Sequence, residues 1–362
     1  MARLKKIGIV LFNLGGPDGP DAIKPFLFNL FNDPDIIRLP QPIRWGVAKL
    51  ISHRRAPTAR IIYDEIGGGS PIVAETQAQV RALENYLHQS SPDISWKASI
   101  AMRYWHPFSG EAARELLDFD PDQIILLPLY PQYSGTTTAS SVKDWKKAAK
   151  TAGLDVPTRQ ICCYPEFPDF IRAHCTLIAK GLDEAWKKVG PNQRLRLLLS
   201  AHGLPKRVID AGDPYAHQVE KTAFAIKQGL GTALDNVETV VCYQSRVGPL
   251  EWIGPPTDGE IRRAADAGAG IVIAPIAFVS EHAETLVELD IEYAKLARDM
   301  GAPCYIRTPT PGIEPDFIRA LGSLVEKAAG SDQMILDNAW ISGGGCGTAF
   351  KDCPLRDAPS TL

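Results

Sequence analysis

Hydrophobic residues along this chain gather into short unbroken runs. Runs at 7–12, 98–104, 123–130 and 159–164 lie in the first half, and runs at 196–201, 239–244, 270–278 and 304–307 in the second. A strand with one wet face alternates polar and apolar side chains. RLRLLLSA and GIVIAPIAF do not alternate, so they read as strands buried on both faces, as in a parallel sheet covered by helices. Segments such as 74–89, 167–189 and 216–230 carry helix-like spacing between the runs. This alternation predicts an α/β protein with doubly wound, Rossmann-like parallel sheets.

The pattern runs twice, once from the strand ending in Asn13 and again from the strand ending in Ala201-His202. A chain of 362 residues has room for two domains at ~150 residues each. The expected domains are 1–190 and 191–333, divided at the Pro/Asn/Gln-bearing stretch 190–193, with a ligand cleft between them. Beyond 333 the chain turns Gly-rich (SGGGCG), so 334–362 is expected to be a weakly ordered or specially tethered tail. The basic start leads into IGIVLFNLGG, which breaks at Gly15-Gly16 and reads as a first strand rather than a signal peptide. No apolar run reaches the ~18 residues a membrane-spanning helix needs.

Charge and cysteine content narrow the partners. Lys+Arg 39 against Asp+Glu 42 leaves −3, which argues against general nucleic-acid binding. Seven dispersed cysteines, an odd number, do not suit a secreted disulfide framework, so the expected compartment is the cytoplasm. No G-x-G-x-x-G follows the first strand. IGGGSP lacks the Lys-Ser/Thr of a phosphate loop, so both glycine clusters read as tight turns.

Four features carry candidate chemistry. His202 ends an apolar strand, where α/β sheets present ligand-binding groups, although a capping or core histidine is the plain alternative. After GIVIAPIAF, Ser280 is a suitable helix N-cap. Glu281, Glu284, Glu288 and Glu292 then fall on one stripe at about 100° per residue, beside His282. Such a stripe is an ordinary solvated face, or, in a cleft, a set of groups for a cation such as Fe²⁺ and for protons. Third, the segment 22–51 has apolar residues on too many sides of a helix. From Ile36 to Tyr63 there are basic residues (Arg38, Arg44, Lys49, Arg54, Arg55, Arg60) and no acidic ones. That suits a membrane-surface lip or an apolar ligand with acidic substituents, or a packing helix with a solvated basic neighbour. Fourth, LYPQYSGTTTASS places hydroxyls after a strand, where they would hold a carboxylate or simply cap a helix.

Taken together, LFNLGGP, RRAP…Tyr63…IGGGSP, RYWHP, LYPQYS-x-TT, SAHGLP, QSRVGPLEWIGPPT and APIAFVSEHAETLVELDIEY resemble the ferrochelatase family in order, over roughly residues 5–310. The resemblance implies a chelatase-type fold and a bacterial-type lyase that completes haem biosynthesis by inserting Fe²⁺ into protoporphyrin IX. Two pyrrole protons leave as the metal enters. It implies His202 and Glu284 as the catalytic pair, with His202, Glu284, Glu281, His282 and Glu288 along the metal and proton path. Leu14, Tyr63, Trp252 and Phe278 correspond to macrocycle contacts. Arg55, Ser70, Tyr130 and Ser134 correspond to propionate or pocket-wall residues, and Arg103 and Tyr104 to the family's RY motif. Metal delivery from the His202 side or from the Arg103/Tyr104 side stays open. The implied partners are protoporphyrin IX, ferrous iron as substrate, and a membrane surface touched by 22–51, with peripheral attachment at the inner face. A monomer and a homodimer are both compatible.

The cysteines match the family less fully. Some members bind a [2Fe–2S] cluster through three tail cysteines and one upstream. This tail has Cys346 and Cys353, and Gly135 stands where the animal proteins have Cys. A cluster needs four ligands, and only an unusual set, such as one with both Cys162 and Cys163, would provide them, so the reading leans against a cluster and toward ordinary thiols. A non-catalytic porphyrin or haem carrier, and a chelatase for another tetrapyrrole such as coproporphyrin, are the competing functions.

Overall fold

The computed structural model describes residues 3–37, 39–246, 250–336 and 346–356. By contacts the chain divides into two compact units, Met1–Cys163 with Leu321–Asp337, and Tyr164–Ala320 with Asn338–Leu362. Its strands are β1 (Lys5–Asn13), β2 (Ile94–Met102), β3 (Gln123–Pro128), β4 (Thr158–Ile161), β5 (Leu195–His202), β6 (Val237–Gln244), β7 (Gly270–Pro275), β8 (Tyr305–Arg307) and β9 (Ile335–Leu336). Its helices are α1 (Ile23–Phe31), α2 (Gln41–Asp64), α3 (Ile72–Ser90), α4 (Ser109–Phe119), α5 (Ser140–Ala152), α6 (Pro168–Val189), α7 (Lys206–Asp210), α8 (Tyr215–Leu230), α9 (Thr257–Asp266), α10 (Ala294–Asp299) and α11 (Pro315–Gly330). The segments Gly135–Ala139 and Glu284–Tyr293 are π-helical.

Both sheets are parallel throughout. Their orders are β2-β1-β3-β4-β9 in the first unit and β6-β5-β7-β8 in the second, so each opens with the same 2-1-3-4 winding. In such sheets the winding reverses beside the first strand, and ligands bind at the carboxyl ends there. That point falls at Asn13 in one unit and at His202 in the other.

The apolar runs form the expected strands because they have no wet face: every residue of β3 and of β7 is buried. Val10, Phe12, Leu126 and Trp145 share one core cluster, and Leu198, Ile271, Ile273 and Leu289 another. Burial of Leu289 contributes roughly 2 kcal/mol to seating the π-helix on its sheet.

Several expected strands end early. β3 and β7 stop at Pro128 and Pro275, which have no N–H for the ladder. Tyr130 and Phe278 therefore sit on strand-end loops. β2 ends at Met102, which puts Arg103 and Tyr104 on a loop as well. The contact division also differs from the strand-based boundary near 190. α6 belongs to the second unit, and the end of α11 with β9 belongs to the first.

The segment 22–51 resolves into α1 and the first part of α2. α1 buries Ile23, Phe26 and Leu27 in a cluster with Tyr104, against which Leu14, Tyr63 and Trp105 pack. α2 is one long helix whose first turn carries Pro42, where a missing N–H costs nothing, and which tolerates Pro57 inside it. It leaves Ile43, Trp45, Leu50 and Ile61 exposed among Lys49, Arg54, Arg55 and Arg60. Arg38 of the basic stretch lies outside the described residues. No helix among the described residues is long and apolar enough to cross a membrane.

Of the tail, 337–345 and 357–362 lie outside the described residues, whereas 346–356 packs beside α8. Gln218 Nε2 lies 2.9 Å from Cys346 Sγ, the Phe350 ring stacks on His217 at 4.9 Å, and the Asp352 N–H donates to the Gly212 carbonyl at 3.2 Å.

Candidate active site

β5 delivers His202 to the carboxyl edge of the second sheet. Gly203 follows because the chain turns tightly there: an added Cβ would lie 3.0 Å from the Gln244 carbonyl and 3.3 Å from the Trp252 ring. The Tyr215 hydroxyl donates to the His202 carbonyl at 3.0 Å, which ties the strand end to α8. Trp252 and Phe278 stand edge-on to the imidazole at 6.5 and 6.4 Å.

His202 Nδ1 and Glu284 Oε2 are 2.9 Å apart, so Nδ1 carries the proton and the carboxylate accepts it. In the neutral ring the lone pair then lies on Nε2. Burial opposes a charge on His202, but Glu284, with Glu288 behind it, outweighs burial and raises the pKa above its ordinary 6.5. Burial would raise Glu284, but His202 and His282 hold its carboxyl well below the usual range. His282 donates from Nδ1 to the Ser280 carbonyl at 3.0 Å, which turns Nε2 toward Glu284 Oε2 at 3.7 Å. The Phe278 ring closes over His282 at 4.6 Å.

The acidic residues each meet different partners. The helix begins at Ala283–Glu284, so Ser280 is not its N-cap and instead offers its carbonyl to His282. Thr285 takes over the cap: its Oγ1 accepts the His282 N–H at 3.0 Å. A π-helix has more than four residues per turn, so Glu284, Glu288 and Glu292, each four apart, stay close to one face, while Glu281 precedes the helix. Glu281 pairs with Arg307 at 2.6 Å and accepts the Thr310 N–H at 2.9 Å. Glu284 meets His202. Glu288 accepts from Gln244, Ser245 and Tyr293. Glu292 is exposed. Residues 247–249 of the QSRVGPLEWIGPPT motif lie outside the described residues.

The remaining candidates belong to the first unit. Leu14 and Tyr63 share the α1 cluster. Arg103 and Tyr104 converge on Asp33, which accepts from the guanidinium at 2.6 Å and from the phenol at 2.8 Å. Arg103 also donates to Ser140 Oγ at 2.8 Å. Asp33 is 3% exposed, and the sequence carries no periodic signal for its role. The Arg55 guanidinium lies 5.8 Å from the Phe31 ring. Ser70 is buried against Gly16, where any Cβ would come within 2.7 Å of it. Ser134 caps the first π-turn by accepting the Thr136 N–H at 3.1 Å. Tyr130 is half-buried beside that turn, and burial pushes its phenol above the ordinary tyrosine range.

Cys162 and Cys163 lie just past β4 in the first unit, and Cys346 and Cys353 lie in the second. Among the described residues no group of three or more His, Cys, Asp or Glu is arranged to hold a metal ion.

Two parallel-sheet units with a histidine–carboxylate pair at a strand's carboxyl end define an α/β protein of chelatase type. One solved structure with this fold is the sirohydrochlorin chelatase SirB from Bacillus subtilis subspecies spizizenii in complex with cobalt. It has a TM-score of 0.50 and 11% identity, covering 90% of this chain and 96% of that one. A ferrochelatase family model matches residues 6–329. Curated ferrochelatases from Caulobacter vibrioides and Phenylobacterium zucineum are 51% and 53% identical, over 98% and 97% of this chain and 99% and 98% of theirs. The chain belongs to the ferrochelatase family.

Proposed function

We propose that the protein inserts Fe²⁺ into protoporphyrin IX to form protohaem, with release of two protons. The observation that carries this reading is the His202–Glu284 pair at the winding reversal of the second sheet, in a chain that matches the family over nearly its whole length. Insertion replaces two pyrrole N–H bonds by metal–nitrogen bonds, so a base must take up protons near an apolar surface. His202 accepts a proton on Nε2 while Glu284 holds Nδ1–H and balances the imidazolium that forms. His282 Nε2 faces the same carboxylate oxygen at 3.7 Å, where it passes protons or meets the incoming cation. Trp252 and Phe278 are read as an apolar wall against the macrocycle, and Leu14 and Tyr63 as macrocycle contacts of the first unit. Arg55, Ser70, Tyr130 and Ser134 are read as propionate-side or pocket-wall residues, and Arg103 and Tyr104 as a face stiffened by Asp33.

The exposed apolar and basic residues of α2 support peripheral attachment to an anionic membrane surface, from which an apolar porphyrin is delivered. The protein is proposed to work in the cytoplasm on that surface. We read the two sheets as the centres of domains 1–190 and 191–333. The deciding comparison is anaerobic Fe²⁺ turnover on protoporphyrin IX and on coproporphyrin. Preferred turnover of protoporphyrin is expected. Preference for coproporphyrin would move the substrate assignment, and binding without insertion would leave a carrier.

A further inference from the structure

Glu288 is held by a full set of donors. Its Oε1 accepts the Ser245 N–H and the Tyr293 hydroxyl, each at 2.8 Å. Its Oε2 accepts the Gln244 amide at 3.0 Å and the Ser245 hydroxyl. Four donors fill the lone-pair positions of a carboxylate. Protonating Glu288, or bonding it to a cation, would strip at least one of them of its acceptor in a partly buried setting, which is costly.

The donors are themselves constrained. Ser245 has φ +64°, a left-handed backbone that serine seldom adopts, and in it both its N–H and its hydroxyl reach one carboxylate. Gln244 is 1% exposed. Its Oε1 accepts from Ser200 Oγ at 2.8 Å, which fixes the amide so that Nε2 faces the π-helix. That Nε2 also donates to the Glu284 carbonyl at 2.9 Å. One amide therefore ties the end of β6 to the backbone of Glu284 and to the side chain of Glu288.

We propose that Gln244 and Ser245 are positioning residues for metal insertion. They lock Glu288 as an anchor of the π-helix, and so hold the Glu284 carboxylate against His202. Glu288 acts as that anchor and not as a metal ligand. The proposal rests on the reading of His202 and Glu284 as the reacting pair.

The test is a double-mutant cycle on the full-length protein, measuring kcat and the KM for Fe²⁺ in anaerobic insertion into protoporphyrin IX. Ser245→Gly suits it because glycine accepts the left-handed backbone and only the hydroxyl is lost. It is expected to lower kcat by ~10–100-fold, as loss of a supporting partner does, with KM for iron nearly unchanged. In a Glu288→Gln background the same substitution is expected to cost nothing more, because the carboxylate it serves is gone. Tyr293→Phe is expected to follow the same pattern with a smaller loss, and it completes the cycle if Ser245→Gly does not fold. The proposal is overturned if Ser245→Gly matches the wild type, if its loss persists undiminished beside Glu288→Gln, or if KM for iron rises as kcat falls. Failure of the underlying reading looks different: the wild type would insert no iron, or His202→Ala would remain fully active.

Discussion

His174 offers a quantitative check on how the second unit is built. It lies in α6 at 2% exposure, with the Phe170 ring edge-on at 4.8 Å and its Nε2 unpartnered. Burial lowers its pKa from 6.5 to about 3. The folded state thus excludes a proton that the unfolded chain takes up below 6.5. The sign follows: this contribution to stability is intact above pH 6.5 and is lost as pH falls from 6.5 toward 3. At 1.36 kcal/mol per pH unit, moving to pH 5 costs about 2 kcal/mol. For a unit of this size that lowers Tm by roughly 4–8 °C. His174→Leu removes the titration and keeps an apolar side chain of similar bulk. Melting both proteins at pH 7.5 and pH 5.0 isolates the effect, because other acid-sensitive groups are common to both. The variant is expected to lose less Tm on acidification by about that amount. Equal losses in the two proteins would refute the reasoning.

Further expectations follow from the site and from α2. Glu284→Gln keeps an acceptor for His202 Nδ1 but removes the charge that raises its pKa. The acid limb of kcat/KM, placed above 6.5 in the wild type, is therefore expected to move to lower pH, with the plateau ~10–100-fold lower. A pH–rate profile with an unmoved limb would contradict the pairing. Replacing Arg54 and Arg55 by Gln is expected to weaken binding to anionic vesicles by about 30-fold at low salt, at ~1 kcal/mol per cation. Unchanged co-sedimentation would remove α2 from the membrane account. Gly322→Ala would put a Cβ 2.2 Å from the Tyr86 ring, and is expected to destabilise the first unit by ~1–3 kcal/mol in a thermal melt.

Much of the fold was legible in the sequence because both sheets are buried on both faces. The unbroken apolar runs mark β1 through β8, and His202 could be placed at a strand's carboxyl edge from LLLSAH alone. β9 was not legible, since two residues carry no periodicity. The spacing of the acidic residues was legible but their partners were not: Glu281 lies ahead of the π-helix and pairs with Arg307, while Glu288 takes donors from the end of β6. α2 was obscured by its prolines. The supporting residues were hidden for a different reason. Gln244 and Ser245 meet Glu288 across 44 and 43 residues of sequence, and Asp33 meets Arg103 and Tyr104 across about 70. Such pairs arise only when separate strand ends are brought side by side.

The central claim is that His202, paired with Glu284, accepts protons as iron enters the porphyrin. It is tested most directly by following protoporphyrin IX fluorescence under anaerobic Fe²⁺ with the wild type and with His202→Ala. The account predicts insertion by the wild type and a loss of ~10²–10⁴-fold in kcat for the variant, with porphyrin still bound. Near-normal turnover by His202→Ala would contradict it.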